Sequence, residues 1–518
     1  MPRWVTRFFS ITTALAVCWM LIALLGFPRI GVLYGLWRQA HSTKAILIVG
    51  AVALLIAIGL LLGGRRLVQA AQPLSTRTSW LILIGELIVF LGAFLLVLSW
   101  CGYRQPVDDA RIVFQWLHTG DKVDVWTHPT WVNQYMYANP QNLSLAGIYW
   151  IFGRFFGTSF VPIIVAFVIL QAAAVLFSFA AMKRLHVDNL VALLASQLWF
   201  LTLQVWWHAA IAYTDTLLVF FTVLTLYSFA GWIDRSQSRT KRNWSLLGAC
   251  VFATLGFLSK GTGLIMILAL SVYLLLANKR QWRLLFVLPF IALGVGNFAW
   301  HQGINASGVY PDTGYGQPNT HYLMMGLSHT PVPSGMKVRE QLSWPVGIYA
   351  AADQQYSWGL LYKQRLSKAD TQSKQLAAAK ARLMKLSPKQ LLIALNDKVS
   401  VVWGSGDAKA SFTLVRGMKH LKRGNFLFTS KIVGTISYLW MTVGQLVTYL
   451  GILYAVVRRR KQPMIMLGAI FVSGYFAFML LWEANPRYSL AIVPIAGLLI
   501  ALAASKAEPE PADVLGIM

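Results

Sequence analysis

The chain has 518 residues, 57% hydrophobic and only 12% charged, with a mean hydropathy of +0.57; soluble domains carry roughly a quarter charged residues, so an aqueous fold is excluded for want of polar surface. Its formal net charge of +27, from 45 Lys and Arg against 18 Asp and Glu, would suggest nucleic acid in a soluble chain. In a lipid-embedded chain it points to cytoplasmic helix ends and to phosphate-bearing lipid or an anionic polymer, with no nucleic-acid partner.

The first apolar run, 8–27, follows Arg3 and Arg7 and has no small-x-small cleavage site, so it is read as a retained first span. Runs 45–62 and 80–100 are the second and third. Stretches of about 20 apolar residues reach across a hydrocarbon core of about 30 Å. None has the period-two alternation of a barrel strand, so the spans are helices, each satisfying its own backbone. Beyond a polar loop, further spans are predicted near 160–182, 190–206, 216–233, 244–258, 263–277 and 284–300. Three more follow a long loop, near 432–457, 464–482 and 489–504. The expected fold is an all-α polytopic membrane protein of roughly 12 transmembrane helices. Its expected parts are an N-terminal transmembrane module, 1–300, with a catalytic outer loop at 101–159; an extracytoplasmic lid loop, 301–431; and a C-terminal transmembrane module with a cytoplasmic tail, 432–518. Cys18 and Cys250 lie inside apolar runs and Cys101 at a membrane edge, a spacing that suggests neither disulfides nor a metal site.

With the amino terminus in the cytoplasm, every inside loop carries a basic cluster: Arg65, Arg66 and Arg77; Lys183 and Arg184; Arg235, Arg239, Lys241 and Arg242; Lys279, Arg280 and Arg283; Arg458, Arg459, Arg460 and Lys461. That is the positive-inside pattern, and it puts both termini in the cytoplasm of a cell membrane. Counting 140–156 as a span would invert all later loops. Its rings Tyr149, Trp150, Phe152 and Phe155 with Arg154 suit an interfacial helix, the alternative being a tilted extra span. In the lid loop, 367–403 has helical leucine spacing divided at Pro388, and 301–362 is rich in Gly, Pro and aromatics.

The ionisable residues near span ends collect on the outer side. Asp108 and Asp109 follow the third span; Asp215 opens the sixth; Lys260 lies in the turn between the seventh and eighth; Glu483 and Arg487 form the last outer turn. Adjacent carboxylates suit a base and its helper, because like charges side by side raise one pKa; they also suit a solvated helix cap. With Asp215 they suit a divalent cation, magnesium or manganese, although no cofactor is required by this reading. Asp215 equally suits a helix cap. Lys260 suits either snorkelling or a lipid phosphate. Arg487 suits a bidentate phosphate clamp oriented by Glu483, or a local ion pair with it. His321 and His329 lie in the lid, His321 as either a surface or a functional residue.

These residues together resemble the GT-C superfamily of polyprenyl-phosphate-sugar-dependent glycosyltransferases, in particular the family-39, protein O-mannosyltransferase-like membrane proteins of Gram-positive envelopes. The resemblance rests on Asp108-Asp109, on Asn139-Pro140-Gln141-Asn142-Leu143 before the aromatic helix, and on Tyr213-Thr214-Asp215-Thr216-Leu217. It rests further on Lys260-Gly261-Thr262-Gly263, on the run from Thr320-His321-Tyr322 to Leu327, and on Glu483 through Arg487-Tyr488 with Pro494. The second Asp, where many relatives have Glu, and Lys-Gly in place of the common Lys-Pro bear on the sugar and acceptor.

The resemblance implies inverting transfer of a mannose-like hexose from a polyprenyl-phosphate donor to an envelope glycan or protein on the outer face. Asp108 would be the base, Asp109 and Asp215 would position the acceptor or an ion, and Lys260 and Arg487 would hold the phosphate. The lipid tail would lie among membrane lipids beside the interfacial helix. The basic lid residues Lys363, Arg365, Lys368, Lys374, Lys380 and Arg382 would hold an anionic acceptor. The rival reading, a transporter or flippase for a lipid-linked sugar, expects repeats and midplane charges; a non-catalytic envelope scaffold would leave the outer acids without partners.

Overall fold

The computed structural model describes residues 1–25, 36–119, 122–276, 284–328 and 347–505. His329, the basic cluster at 279–283 and the expected cytoplasmic tail beyond 505 lie outside these residues.

Within the described residues, each of the twelve predicted spans falls on helix. Among the described residues nine helices are long and apolar enough to cross a membrane, and a bent pair, Asn189–Leu201 with Leu203–Ile211, makes a tenth. The other two expected spans are the helix Arg239–Ser259, which opens on three cations, and Gly261–Leu275, which is shorter. No strand forms among the described residues; one isolated antiparallel bridge joins Tyr103 to Met418.

Which spans are central follows from burial. Pro486–Ala504 and Thr214–Ile233 have 83% and 78% of their apolar windows buried, against 22% for Thr76–Cys101 and 6% for Leu285–Ser307. Peripheral helices expose Leu, Ile and Phe, the proper surface where the solvent is lipid. The helices Val433–Arg458 and Pro463–Leu481 pack on Arg3–Leu25, so the first and last spans share one bundle.

The two ends differ. At one, Asn189 donates to the Leu74 carbonyl (2.7 Å), His186 meets Asp234 (3.2 Å) and the Ser505 hydroxyl bonds Asp188 (3.0 Å), so the basic clusters at 65–77, 183–184, 235–242 and 458–461 gather there. The opposite end carries both large loops. Asn142–Phe156 has the two faces expected of an interfacial helix: Leu145, Ala146 and Tyr149 are buried while Trp150, Ile151, Phe155 and Phe156 are exposed. In the second loop, Lys368–Met384 and Pro388–Trp403 are separate helices, the latter opened by Ser387 in a capping box with Pro388 at its first turn. Arg382 is bound by two bonds to Asp353 (2.6 and 2.8 Å) and one to the Met324 carbonyl, so it holds the lid together.

The bent pair positions the site. It turns by 56° at Thr202, whose hydroxyl bonds the Leu198 carbonyl (2.8 Å), while Trp206 bonds the Trp199 carbonyl across the break. The second segment ends at Ala212 in the left-handed region (φ 55°), where Tyr149 donates to its carbonyl. Asp215 starts the next helix from there.

Candidate active site

At the loop end, five segments far apart in the chain meet. Asp108 and Asp109 form the first turn of the helix Asp108–Thr119, where the helix dipole favours negative charge. Asp108 has φ 49°, a left-handed conformation uncommon outside glycine and more often held at functional sites. Its carboxylate meets Arg416 at 2.5 Å, while that of Asp109 meets Arg487 at 3.0 Å. Each acid thus has its own guanidinium. Arg487 also lies 3.7 Å from Asp215, whose other oxygen pairs with Lys260.

Aromatic rings wall this chain of charges. Lys260 stands 4.7 Å from the centre of the Tyr488 ring, and Arg487 stands 5.2 Å from that of Tyr213. Desolvated cation–π contacts of this kind stabilise by about 1 to 2 kcal/mol each. The Tyr213 hydroxyl bonds those of Tyr135 (3.0 Å) and the Asn142 side chain (3.3 Å), so the Tyr213-Thr214-Asp215 and Asn139-to-Leu143 motifs touch. Free space among Asp108, Asp109, His208, Asp215, Lys409 and Arg487 is about 10 Å³, roughly one water.

The local alternatives for two residues are decided. Arg487 pairs with Asp109 and Asp215 instead of Glu483, and the cap before Asp215 is Tyr213, leaving the Asp215 side chain to Lys260 and Arg487. The three aspartates do not gather as a ligand set: no group of three His, Cys, Asp or Glu suited to a metal occurs among the described residues. Asp108 faces Arg416, while Asp109 and Asp215 share Arg487 and Asp215 also meets Lys260.

His321 lies apart from the cluster. It is fully buried in the lid, its Nδ1 2.8 Å from the Ser357 hydroxyl, which also receives a bond from Gln375. Its neighbour Tyr322 stacks on Trp482 (5.2 Å) and donates to Asn139 (2.9 Å), linking lid to turn. Gly326 and Gly347 allow this contact: a Cβ on Gly326 would strike the Leu481 carbonyl, and Ala484 N–H bonds the Gly347 carbonyl (2.7 Å).

Glu483 is buried beside Lys398, whose ammonium bonds the Gly326 carbonyl (2.8 Å). Burial pushes the Glu483 carboxyl up from 4.5 to about 7, against the pull of Arg487 and Lys409 and with Asp109 adding to the rise. The folded chain therefore keeps a proton that the unfolded chain has released. Stability contributed by this group is present below about pH 4.5 and lost as pH rises to about 7. Melting of Glu483→Gln in detergent is expected to lack that fall. A wild-type slope in the variant would show that Glu483 does not titrate there.

Three site residues escape sequence reading: His208, Lys409 and Arg416. His208 is inside an apolar run and bonds the Ala408 carbonyl (2.8 Å). Lys409 is presented by a turn in which Gly406, Ala408 and Lys409 all have positive φ (79°, 51° and 68°), closed by Asp407 accepting from Ser411 and from Lys409 N–H. Burial pushes the Lys409 ammonium down while Asp108 opposes the shift. Gly404-Ser405-Gly406-Asp407 was the only local signal, a turn signature with no hint of its partners.

Fold and site define a polytopic helical membrane protein with its acids and cations gathered at one end of the bundle. Within it, residues 144–300 match the family model described as dolichyl-phosphate-mannose-protein mannosyltransferase. This supports the resemblance to the GT-C mannosyltransferases and, at that level, a glycosyltransferase-like activity using a lipid-linked sugar. The matched segment contains Asp215 and Lys260. No curated protein and no solved structure matches the chain.

Proposed function

We propose that the chain transfers a mannose-like hexose, with inversion, from a polyprenyl-phosphate donor to an envelope glycan or protein at the extracytoplasmic face. The observation that carries this reading is the unbroken chain Asp109, Arg487, Asp215, Lys260 beside Asp108. It joins a motif of the first large loop to three inter-span turns. A transporter reading would place its ionisable groups near the midplane, and these lie at one end.

Asp108, on the more open side with Arg416, takes the proton of the acceptor hydroxyl. The freed oxygen attacks the anomeric carbon opposite the phosphate. As that bond forms, the bond from carbon to phosphate oxygen breaks, and its electron pair leaves with the prenyl phosphate. Arg487 and Lys260 meet the charge developing there, while Asp109 and Asp215 hold them in place. A positioned base is worth roughly 10² to 10⁴ in rate, and preorganised donors at the leaving group a comparable amount.

The test is incubation of membranes containing the chain with candidate prenyl-phosphate sugars, following released prenyl phosphate with and without a chelator. Sugar-dependent release is expected, unchanged by the chelator, because Lys260 and Arg487 carry the electrostatic role. Release abolished by the chelator and restored by magnesium or manganese would instead assign that role to a metal.

A further inference from the structure

A second cavity, of about 330 Å³, lies outside the charged cluster and is lined by Trp126, Tyr137, Asp312, Arg365, Ser367 and Lys368 among others. Its polar groups are organised. Asp312 receives the Trp126 indole N–H at one oxygen (2.8 Å) and the Tyr137 hydroxyl and Gly314 N–H at the other (both 2.7 Å). The first oxygen keeps a lone pair for one more donor, such as a sugar hydroxyl. Burial works to raise this carboxyl, but those bonds and nearby Lys368 together hold it below its usual range.

Two cations flank the carboxylate. Arg365 stands 4.8 Å from the Trp126 ring centre with a backbone φ of 51°, a costly conformation for a non-glycine residue. Lys368 bonds the Tyr315 carbonyl. Both remain exposed, unlike Arg382, which the lid consumes.

The cavity shares a wall with the charged cluster. On the helix Trp131–Ala138, Tyr137 lines the cavity, while Tyr135, two residues away and so on another face, bonds Tyr213 under Arg487.

Resting on the transferase reading, we propose that this cavity is an acceptor subsite for an acidic glycan, its aromatic wall and Asp312 receiving a sugar unit and Arg365 with Lys368 its phosphate or carboxylate. A carboxylate able to accept a hydroxyl favours a sugar over an acidic polypeptide, for which the cations alone would suffice.

The test measures binding of a phosphorylated mannose oligosaccharide to the purified full chain, without donor, against its dephosphorylated form and against polyglutamate of equal charge. The phosphorylated sugar is expected to bind best and to weaken as salt rises. The double variant Arg365→Gln, Lys368→Gln should weaken it by at least about tenfold and leave the dephosphorylated sugar unaffected. Unchanged affinity in that variant, or polyglutamate bound as tightly as the sugar, overturns the proposal. Since no donor is present, this result is independent of the transferase reading, whose failure would show as no sugar-dependent release of prenyl phosphate by the wild-type chain.

Discussion

Asp108→Asn is expected to lower sugar transfer by about 10² to 10⁴ while the protein remains folded in the membrane. Two observations separate chemistry from stability here. The Asp108 side chain is 29% exposed and its ion-pair partner Arg416, at 44%, is open to water, so losing its charge strands no buried guanidinium. At φ 49°, Asn is among the few residues that tolerate the left-handed backbone. The amide keeps the size and one acceptor oxygen for Arg416 but cannot take the acceptor's proton. Labelled donor supplied to membranes of wild type and variant, with the detergent melting temperature measured in parallel, makes the distinction. Wild-type transfer would remove Asp108 as the base, and a collapsed melting temperature would show that its ion pair with Arg416 is structural.

What was legible in the sequence follows the range of the interactions. Spans are local: an apolar run such as 80–100 becomes the helix Thr76–Cys101 whatever its neighbours do, because lipid leaves the backbone no other partner. The one-sided placement of Asp108, Asp109, Asp215, Lys260 and Arg487 was legible for the same reason, since charge near a span is costly unless something answers it. Which group answers which was not legible. Arg416 reaches Asp108 from 308 residues away, and Trp126 meets Asp312 across 186. Helical periodicity carries no information about such pairs. Lys409 in a glycine-rich turn reads as an ordinary surface lysine until the bent helix brings His208 against its loop. His321 illustrates the converse, a loop histidine that folding buries in the lid.

Asp215→Asn is expected to cost about 3 kcal/mol or more of stability and to abolish transfer, because it leaves Lys260 and Arg487 as neighbouring cations without the carboxylate between them. The side chains concerned are 6% exposed for Asp215 and 11% for Lys260, so water gives little relief. Lys260→Met should cost less, since Asp215 then retains Arg487. It should still lower transfer by about 10² to 10³ if the ammonium stabilises the leaving phosphate. The informative variant is the double one. With Asp215→Asn and Lys260→Met together, the remaining Arg487 faces Asp109 alone, charge is balanced again, and most of the lost melting temperature should return. Transfer should not return with it, because the methionine offers the phosphate nothing. A double variant no more stable than Asp215→Asn would break the coupling on which the ion-pair chain rests. Full transfer by Lys260→Met would leave Arg487 as the phosphate's sole cation among these residues and reduce Lys260 to a support for Asp215.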